Sequence, residues 1–392
     1  MSKLTQRAAR IGHLKSEGAY HVLAQAQELE SAGREIIHLE VGEPDALTFD
    51  TIRQAGIDAI QRGKARYTPP AGTPELRQAI ADVAGEQRGI RLSPQEVIVS
   101  PGAKPNMFFP TLAVVEPGDE VLYPDPGFPT YAAMVGVAGG VPVPVPLNED
   151  RGFSFDLEAF DRLIGARTRL IVLNSPANPT GGVIPMADLE HIAEAAERYD
   201  CWILSDEIYA RLVYRGTRAP SIASLPGMQQ RTIIVDGFSK TYAMTGWRLG
   251  YGIMPQALAR SVELLITHSL GSTAQFTQIA GVEALRGPQA EVEATVESFR
   301  RRRDRVVSGL NVIPGIHCRE PQGAFYAFPN IRQLGVPSED LAERLLMETG
   351  VALLPGTAFG ANGEGYLRLS YANSMENLER ALARIDAFVR GL

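Results

Sequence analysis

Lys240 stands four positions beyond the apolar run Thr232–Asp236, in the segment Asp236-Gly237-Phe238-Ser239-Lys240. An amine at the end of a buried strand is costly to desolvate unless it has a purpose. The small residues Gly237 and Ser239 let another group approach it closely, and Arg248 places a guanidinium eight residues further on. Two more apolar runs end in polar clusters. Asn174-Ser175-Pro176-Ala177-Asn178-Pro179-Thr180-Gly181-Gly182 is rich in turn formers. Ser205-Asp206-Glu207-Ile208-Tyr209 closes a buried run with a carboxylate that is either functional or a helix cap. Arg368 stands within Tyr366-Leu367-Arg368-Leu369-Ser370, and alone it would read as a surface charge. Together these groups could exchange a proton and fix anionic groups.

The elements that must position them are short apolar runs alternating with helical patterns from about residue 50 to 285. Strands are expected at Glu96–Ser100, Glu120–Tyr123, Leu170–Asn174, Trp202–Asp206, Thr232–Asp236 and Leu249–Met254. Most are continuous apolar runs bounded by polar or turn residues, as in strands covered on both faces. Met186–Tyr199, with Leu189, Ile192, Ala193 and Ala196, has helical spacing. Strand and helix in turn imply a mainly parallel α/β sheet. After Arg286-Gly287-Pro288 a long helix over Glu291–Leu310 leads into strands at Ala324–Phe328, Val351–Leu354 and Tyr366–Ser370, and a closing helix. This predicts a large domain over residues 46–286, and a smaller α+β domain built from residues 1–45 and 287–392.

The run from Asp236 to Gly250 resembles the Schiff-base lysine segment of the class I aminotransferases, among the fold-type I pyridoxal-5'-phosphate (PLP) enzymes. Asn178-Pro179-Thr180-Gly181 resembles the family's N-P-T-G turn, Asp206-Glu207-Ile208-Tyr209 its D-E-x-Y, and Arg368 its substrate-carboxylate arginine. Weaker echoes are Gly42-Glu43-Pro44-Asp45, Tyr67-Thr68-Pro69-Pro70-Ala71-Gly72, Gly102-Ala103-Lys104 and Tyr123-Pro124-Asp125-Pro126-Gly127-Phe128. The resemblance runs in order from about residue 20 to the end and is aspartate aminotransferase-like.

The resemblance implies a seven-stranded-type sheet between helices and a PLP cofactor carried on Lys240. By it, Asp206 keeps the pyridine nitrogen protonated, Asn178 and Tyr209 bond the phenolic oxygen, and Phe128 covers the ring. The phosphate is expected on the backbone of Ala103 and Lys104 after Gly102, with Ser239 and Arg248 beside it. Lys240 acts as acid and base, and Arg368 clamps the substrate α-carboxylate with Asn178 and the Gly42 backbone. Tyr67 would reach the cofactor of a neighbouring subunit, implying a homodimer with shared sites, and Tyr20 would line the entrance. Lys104 occupies a place that in some prokaryotic aspartate aminotransferases binds a distal carboxylate; alternatively it offers only its backbone. The implied reaction moves an amino group between an L-amino acid and a 2-oxo acid by a ping-pong mechanism, with aspartate or glutamate as a candidate carrier. A β-lyase, cyclase or oxidase on the same scaffold is the alternative. A PLP-sensing regulator would need an extra basic module, for which a pattern starting near residue 20 leaves no room. Two departures stand out: Gly237 where many relatives have Ser, and Ala46-Leu47-Thr48 near the expected substrate mouth.

Composition limits the partners. With 45% hydrophobic and 21% charged residues and a net charge of −7, the chain reads as a soluble enzyme and not as a binder of nucleic acid or anionic membrane. The basic run Arg300–Arg303 reads as the solvated face of a helix. Two cysteines, with Cys201 in an apolar run, fit a reducing cytoplasm. No metal site is suggested, Met1–Thr5 shows no signal-peptide pattern, and no stretch approaches the ~20 apolar residues of a membrane span.

Overall fold

The computed structural model describes Ala8, Ile11, Leu14 and residues 18–392; the Met1–Thr5 segment lies outside them. Its first half contains α1 (Gly18–Ser31), β1 (Ile37–His38), α2 (Asp50–Gln61), α3 (Pro74–Arg88), β2 (Val97–Ser100), α4 (Pro105–Val114), β3 (Glu120–Asp125), α5 (Thr130–Ala138), β4 (Val141–Asn148), β5 (Ser154–Phe155), α6 (Leu157–Leu163), β6 (Thr168–Asn174) and α7 (Met186–Arg198). There follow β7 (Trp202–Asp206), β8 (Thr232–Gly237), β9 (Gly250–Ile253), α8 (Gln256–Thr267), α9 (Gln275–Arg286) and α10 (Ala290–Leu310). The chain ends with β10 (Tyr326–Ala327), α11 (Ser338–Arg344), β11 (Val351–Ala352), β12 (Leu354–Pro355), β13 (Leu367–Ser370) and α12 (Met375–Val389).

The main sheet has the order β2-β9-β8-β7-β6-β3-β4-β5. Pairing is parallel from β8 through β7, β6 and β3 to β4, and antiparallel at both ends. Seven strands are four residues or longer, and the eighth, β5, has two residues. Strands β2, β7, β8 and β9 are almost entirely buried, which explains their unbroken apolar runs. Helix α7 buries Leu189, Ile192, Ala193 and Ala196 on one stripe. Helix α3 starts with Pro74 and stops at Gly89 in the left-handed conformation, φ 66°.

Strand β4 was not anticipated, because Val-Pro-Val-Pro-Val-Pro-Leu-Asn looks hostile to a ladder. Its prolines sit opposite alternate β3 residues, Pro142 facing Val121, Pro144 facing Tyr123 and Pro146 facing Asp125. The Val141 N–H donates toward the β3 side, to Asp119 O (2.8 Å), whereas Pro146 O points the other way and accepts from Asp156 N (2.9 Å). The donorless residues therefore fall where no β3 hydrogen bond is required.

Beyond the main sheet, β1 pairs in parallel with β11, Ile37 opposite Val351. Strands β10 and β12 flank β13. Ile37 and Leu39 thus share a core with Phe299 and Val306 of α10, Phe325, Leu369 and Ile385. Chain start and chain end pack together next to the Ile208–Leu212 turn that follows β7.

The basic run on α10 corrects one expectation. Arg300 and Arg301 are exposed, but Arg303 is buried. Its guanidinium lies 4.6 Å over the Tyr214 ring and bonds Asp304 at 2.6 and 2.8 Å. Arg302 meets Asp45 at 2.6 Å. Half of the run therefore faces protein, because α10 lies against the loops that follow β1 and β7. Cys201 and Cys318 are buried free thiols. No helix among the described residues is long and apolar enough to cross a membrane.

Candidate active site

The carboxyl ends of β6, β7 and β8 open on a cavity of about 530 Å³, where ligands of open α/β sheets are commonly bound. Asp206 ends β7, and its backbone O accepts from the Asn174 amide at the end of β6 (3.1 Å). Asn174 Oδ1 takes the Asn178 N–H (2.8 Å), fixing the Asn178 turn beside Asp206. Beyond β8 the chain turns so that Lys240 Nζ enters the same space and donates to Gly42 O (2.6 Å). Gly42 is required there, since a Cβ would lie 2.1 Å from the Tyr326 hydroxyl.

Lys240, Asp206, Tyr209, Asn178, Arg248 and Ser239 all line the cavity. So do Phe128, Ala103, Lys104, Arg368, Gly42 and Tyr20. Gly102 stands just behind the wall with φ 82°, and a Cβ on it would meet Arg248 Nη2 at 2.3 Å. The guanidinium thus rests on a bare backbone just before α4. Tyr67 lies outside the cavity and is 99% exposed. Twelve of the fourteen expected residues therefore meet on one surface.

The electrostatics divide sharply. Burial raises the Asp206 carboxyl to about 6, opposed by hydrogen bonds from the Tyr131 hydroxyl (2.7 Å) and the Ile208 N–H (3.2 Å), while Asp236 and Glu207 push the same way as burial. Burial lowers the Lys240 amine to about 8; Glu43 opposes this, and Arg248, Arg368 and Lys104 add to it. Buried Arg368 donates from Nη2 to Glu40 O and leaves Nε without a partner among the described residues. Its guanidinium lies 4.7 Å over Tyr326 and 5.3 Å over Phe359. Asn178 Oδ1 is likewise buried and unpartnered. Lys104 Nζ stands 5.1 Å over the Phe128 ring.

Behind the cavity wall, Glu207 and Asp236 share two arginines. Arg88 and Arg218 each reach Glu207 Oε2 and Asp236 Oδ2 within 2.9–3.1 Å, and all four side chains are at most 9% exposed. Ser221 and Ser205 complete Glu207.

Three site residues were missed. Tyr326 hydrogen-bonds Tyr209 hydroxyl to hydroxyl (2.7 Å), Tyr131 bonds Asp206, and Phe359 walls Arg368. Tyr326 falls in an expected strand, but nothing marked its side chain as facing the cavity. Tyr131 sits in an apolar helix, three residues past the Tyr123–Phe128 motif and outside it.

The sequence profile of the family "Aminotransferase class I and II" matches residues 34–385. The chain belongs to this family. An aspartate/prephenate aminotransferase from Cereibacter sphaeroides is 39% identical over all of both chains. An aspartate aminotransferase from Pyrococcus horikoshii is 40% identical, covering 98% of this chain and 97% of the relative. A solved aspartate aminotransferase from Thermus thermophilus with maleate superposes with a TM-score of 0.93 at 38% identity, over 99% of this chain and all of that one. As a member of the class I and II aminotransferases, the chain is a transaminase whose substrates are amino acids and 2-oxo acids. It has the α/β architecture of the fold-type I PLP enzymes, with the cavity at the carboxyl edge of their sheet.

Proposed function

We propose that the cavity holds PLP on Lys240 and that the amino-group carriers include a dicarboxylic amino acid, glutamate or aspartate. What carries the reading is that Lys240, Asp206 and two arginines, Arg248 and Arg368, line one cavity. The residues present fit the cofactor. Asp206 is a buried carboxyl that a ring cation would match, and the Asn178 side-chain amide beside it would donate its N–H to a phenolic oxygen. Arg248 on the bare Gly102, with the N–H groups of Ala103 and Lys104, suits a phosphate. Phe128 and Tyr209 would cover and bond the ring, and Ser239 would join the phosphate set.

When bound, PLP supplies an electron sink for the charge left at Cα when its proton is removed. The chain's own residues do the rest. Asp206, dry and anionic beside a cation, holds the ring nitrogen's proton. Lys240, with its amine lowered to about 8, is neutral often enough near neutral pH to attack a carbonyl, then to take and return the Cα proton. Arg368 turns its unpartnered Nε toward a carboxylate and fixes the substrate, with Asn178 and Gly42 beside it. Lys104, among the cavity's cations, would face a second carboxylate; the Thermus relative was solved with maleate, itself a dicarboxylate. Tyr20 lines the same cavity near its entrance.

The same reading divides the chain into a large unit over residues 46–286 and a small one from 1–45 and 287–392. It also makes the working form a cytoplasmic homodimer in which exposed Tyr67 completes the partner's site. Full activity from a stable monomer would exclude that shared site. The cofactor assignment is tested by borohydride reduction of the yellow protein followed by peptide mapping. The label should fall on the peptide containing Lys240, and a label on another lysine overturns the reading.

A further inference from the structure

The carboxylates nearest Asp206 act with its burial to favour the protonated form, while the cations Lys240, Arg248, Arg368 and Lys104 line the same cavity. Glu207 follows Asp206 in the chain, Asp236 lies near the end of the adjacent strand β8, and the Tyr209 hydroxyl is near. Arg88 and Arg218 are already engaged by Glu207 and Asp236. Left to these neighbours, a carboxyl buried to 3% exposure would take up a proton and lose the charge its task requires. The side-chain hydroxyl that meets it comes from α5, 75 residues earlier in the chain: Tyr131, fully buried, donates to Asp206 Oδ2 at 2.7 Å. The second oxygen takes the Ile208 N–H at 3.2 Å. Tyr131 is tied in turn to Phe128. Its backbone N–H donates to Phe128 O (3.0 Å), and the two rings meet edge to face at 5.8 Å and 83°.

We propose that Tyr131 is a positioning residue for the amino-transfer site, holding Asp206 in its charged form and orientation while bracing the Phe128 ring. One side chain thus links the group that meets the cofactor ring's nitrogen with the group that covers its face, a role that rests on the PLP reading above. A neutral phenol suits the task because burial keeps its own proton on. A hydrogen bond to the ionised carboxyl favours that form, so removing the hydroxyl alone should raise the Asp206 titration above its value of about 6.

The test begins without cofactor. In cofactor-free protein labelled with carboxyl-¹³C aspartate, with Asp206→Asn identifying the resonance, Tyr131→Phe should move the Asp206 midpoint upward by roughly one pH unit, a tenfold change in its protonation constant. 3-Fluorotyrosine placed at position 131 has a stronger donor in nearly the same volume and should move the midpoint downward. This second protein also answers if Tyr131→Phe does not fold. Midpoints that stay put, or that move the same way in both proteins, overturn the proposal. With cofactor added, Tyr131→Phe should bind PLP roughly tenfold more weakly near pH 5, and the loss should nearly vanish by about pH 8, where Asp206 ionises in both proteins. An equal loss at every pH would mean a structural role only and also overturns it. Wild-type protein that takes up no PLP would instead overturn the cofactor reading and leave the Asp206 titration result standing.

Discussion

Replacing Arg88 by Met perturbs the buried ion network without removing a group that lines the cavity. The Arg88 side chain is fully buried and bonds Glu207 Oε2 at 2.9 Å, Asp236 Oδ2 at 3.0 Å and Ala84 O at 3.1 Å. With both arginines present the four charges cancel. Without Arg88, two buried carboxylates share Arg218 alone. Burial works to raise the Glu207 carboxyl, yet Arg88 and Arg218 together hold it below its usual value, so it carries a charge that the variant strands. Breaking a buried pair from one side costs about 3–5 kcal/mol. Unfolding entropy of roughly 2.1 cal/mol/K per residue, over 392 residues, turns that into a melting temperature lower by about 4–6 °C. Differential scanning calorimetry at matched protein concentration reads the change. Adding Glu207→Gln to Arg88→Met restores neutrality and should recover part of the loss, giving a positive coupling in the double-mutant cycle. A single variant melting within about 1 °C of the parent, or a double variant no better than the single, would refute the claim that these charges depend on one another.

Two further outcomes follow from the cavity. Lys104→Ala should lower kcat/KM for dicarboxylic substrates by roughly ten- to a hundredfold, the value of one charge-assisted bond, with much smaller losses for alanine or aromatic donors; equal losses for all would mean a disturbed phosphate loop and would remove the dicarboxylate reading. Lys240, lowered to about 8, should govern the rate of PLP uptake, which should fall about tenfold for each pH unit below 8 as the amine gains its proton and level off above it; an inflection at the ordinary lysine value would show that the cavity does not desolvate the amine.

The strands carrying Asn174, Asp206 and the Lys240 turn could be read from sequence because both faces of each are covered, leaving unbroken apolar runs that end where polar residues begin. The site residues were legible for the same reason: function gathers at those ends, and motif order preserved them. What escaped depends on partners far away in the chain. Tyr131 gains its meaning from Asp206, 75 residues on, and Tyr326 from Tyr209, 117 residues back. Neither has a local pattern that says where its hydroxyl goes. Arg303 was misjudged because a guanidinium over a tyrosine ring and one in water look identical in a run of four arginines. Strand β4 was hidden because proline is read as a strand breaker, whereas its alternation here matches the pleat.

That alternation has a mechanical consequence for how the molecule can meet its neighbours. Along Val141–Pro146 no second residue on the outward side can offer an N–H, and β5 pairs only Leu147 and Asn148 beyond it. An incoming strand laid on this border would find acceptors but no donors, so a ladder could not propagate. The border is closed to strand addition without a covering helix, although Val141 is exposed. Crowded copies of the chain cannot zip into a continuous sheet through it. Any contact made through this border must be built from side chains, leaving the hydrogen bonds of the sheet undisturbed.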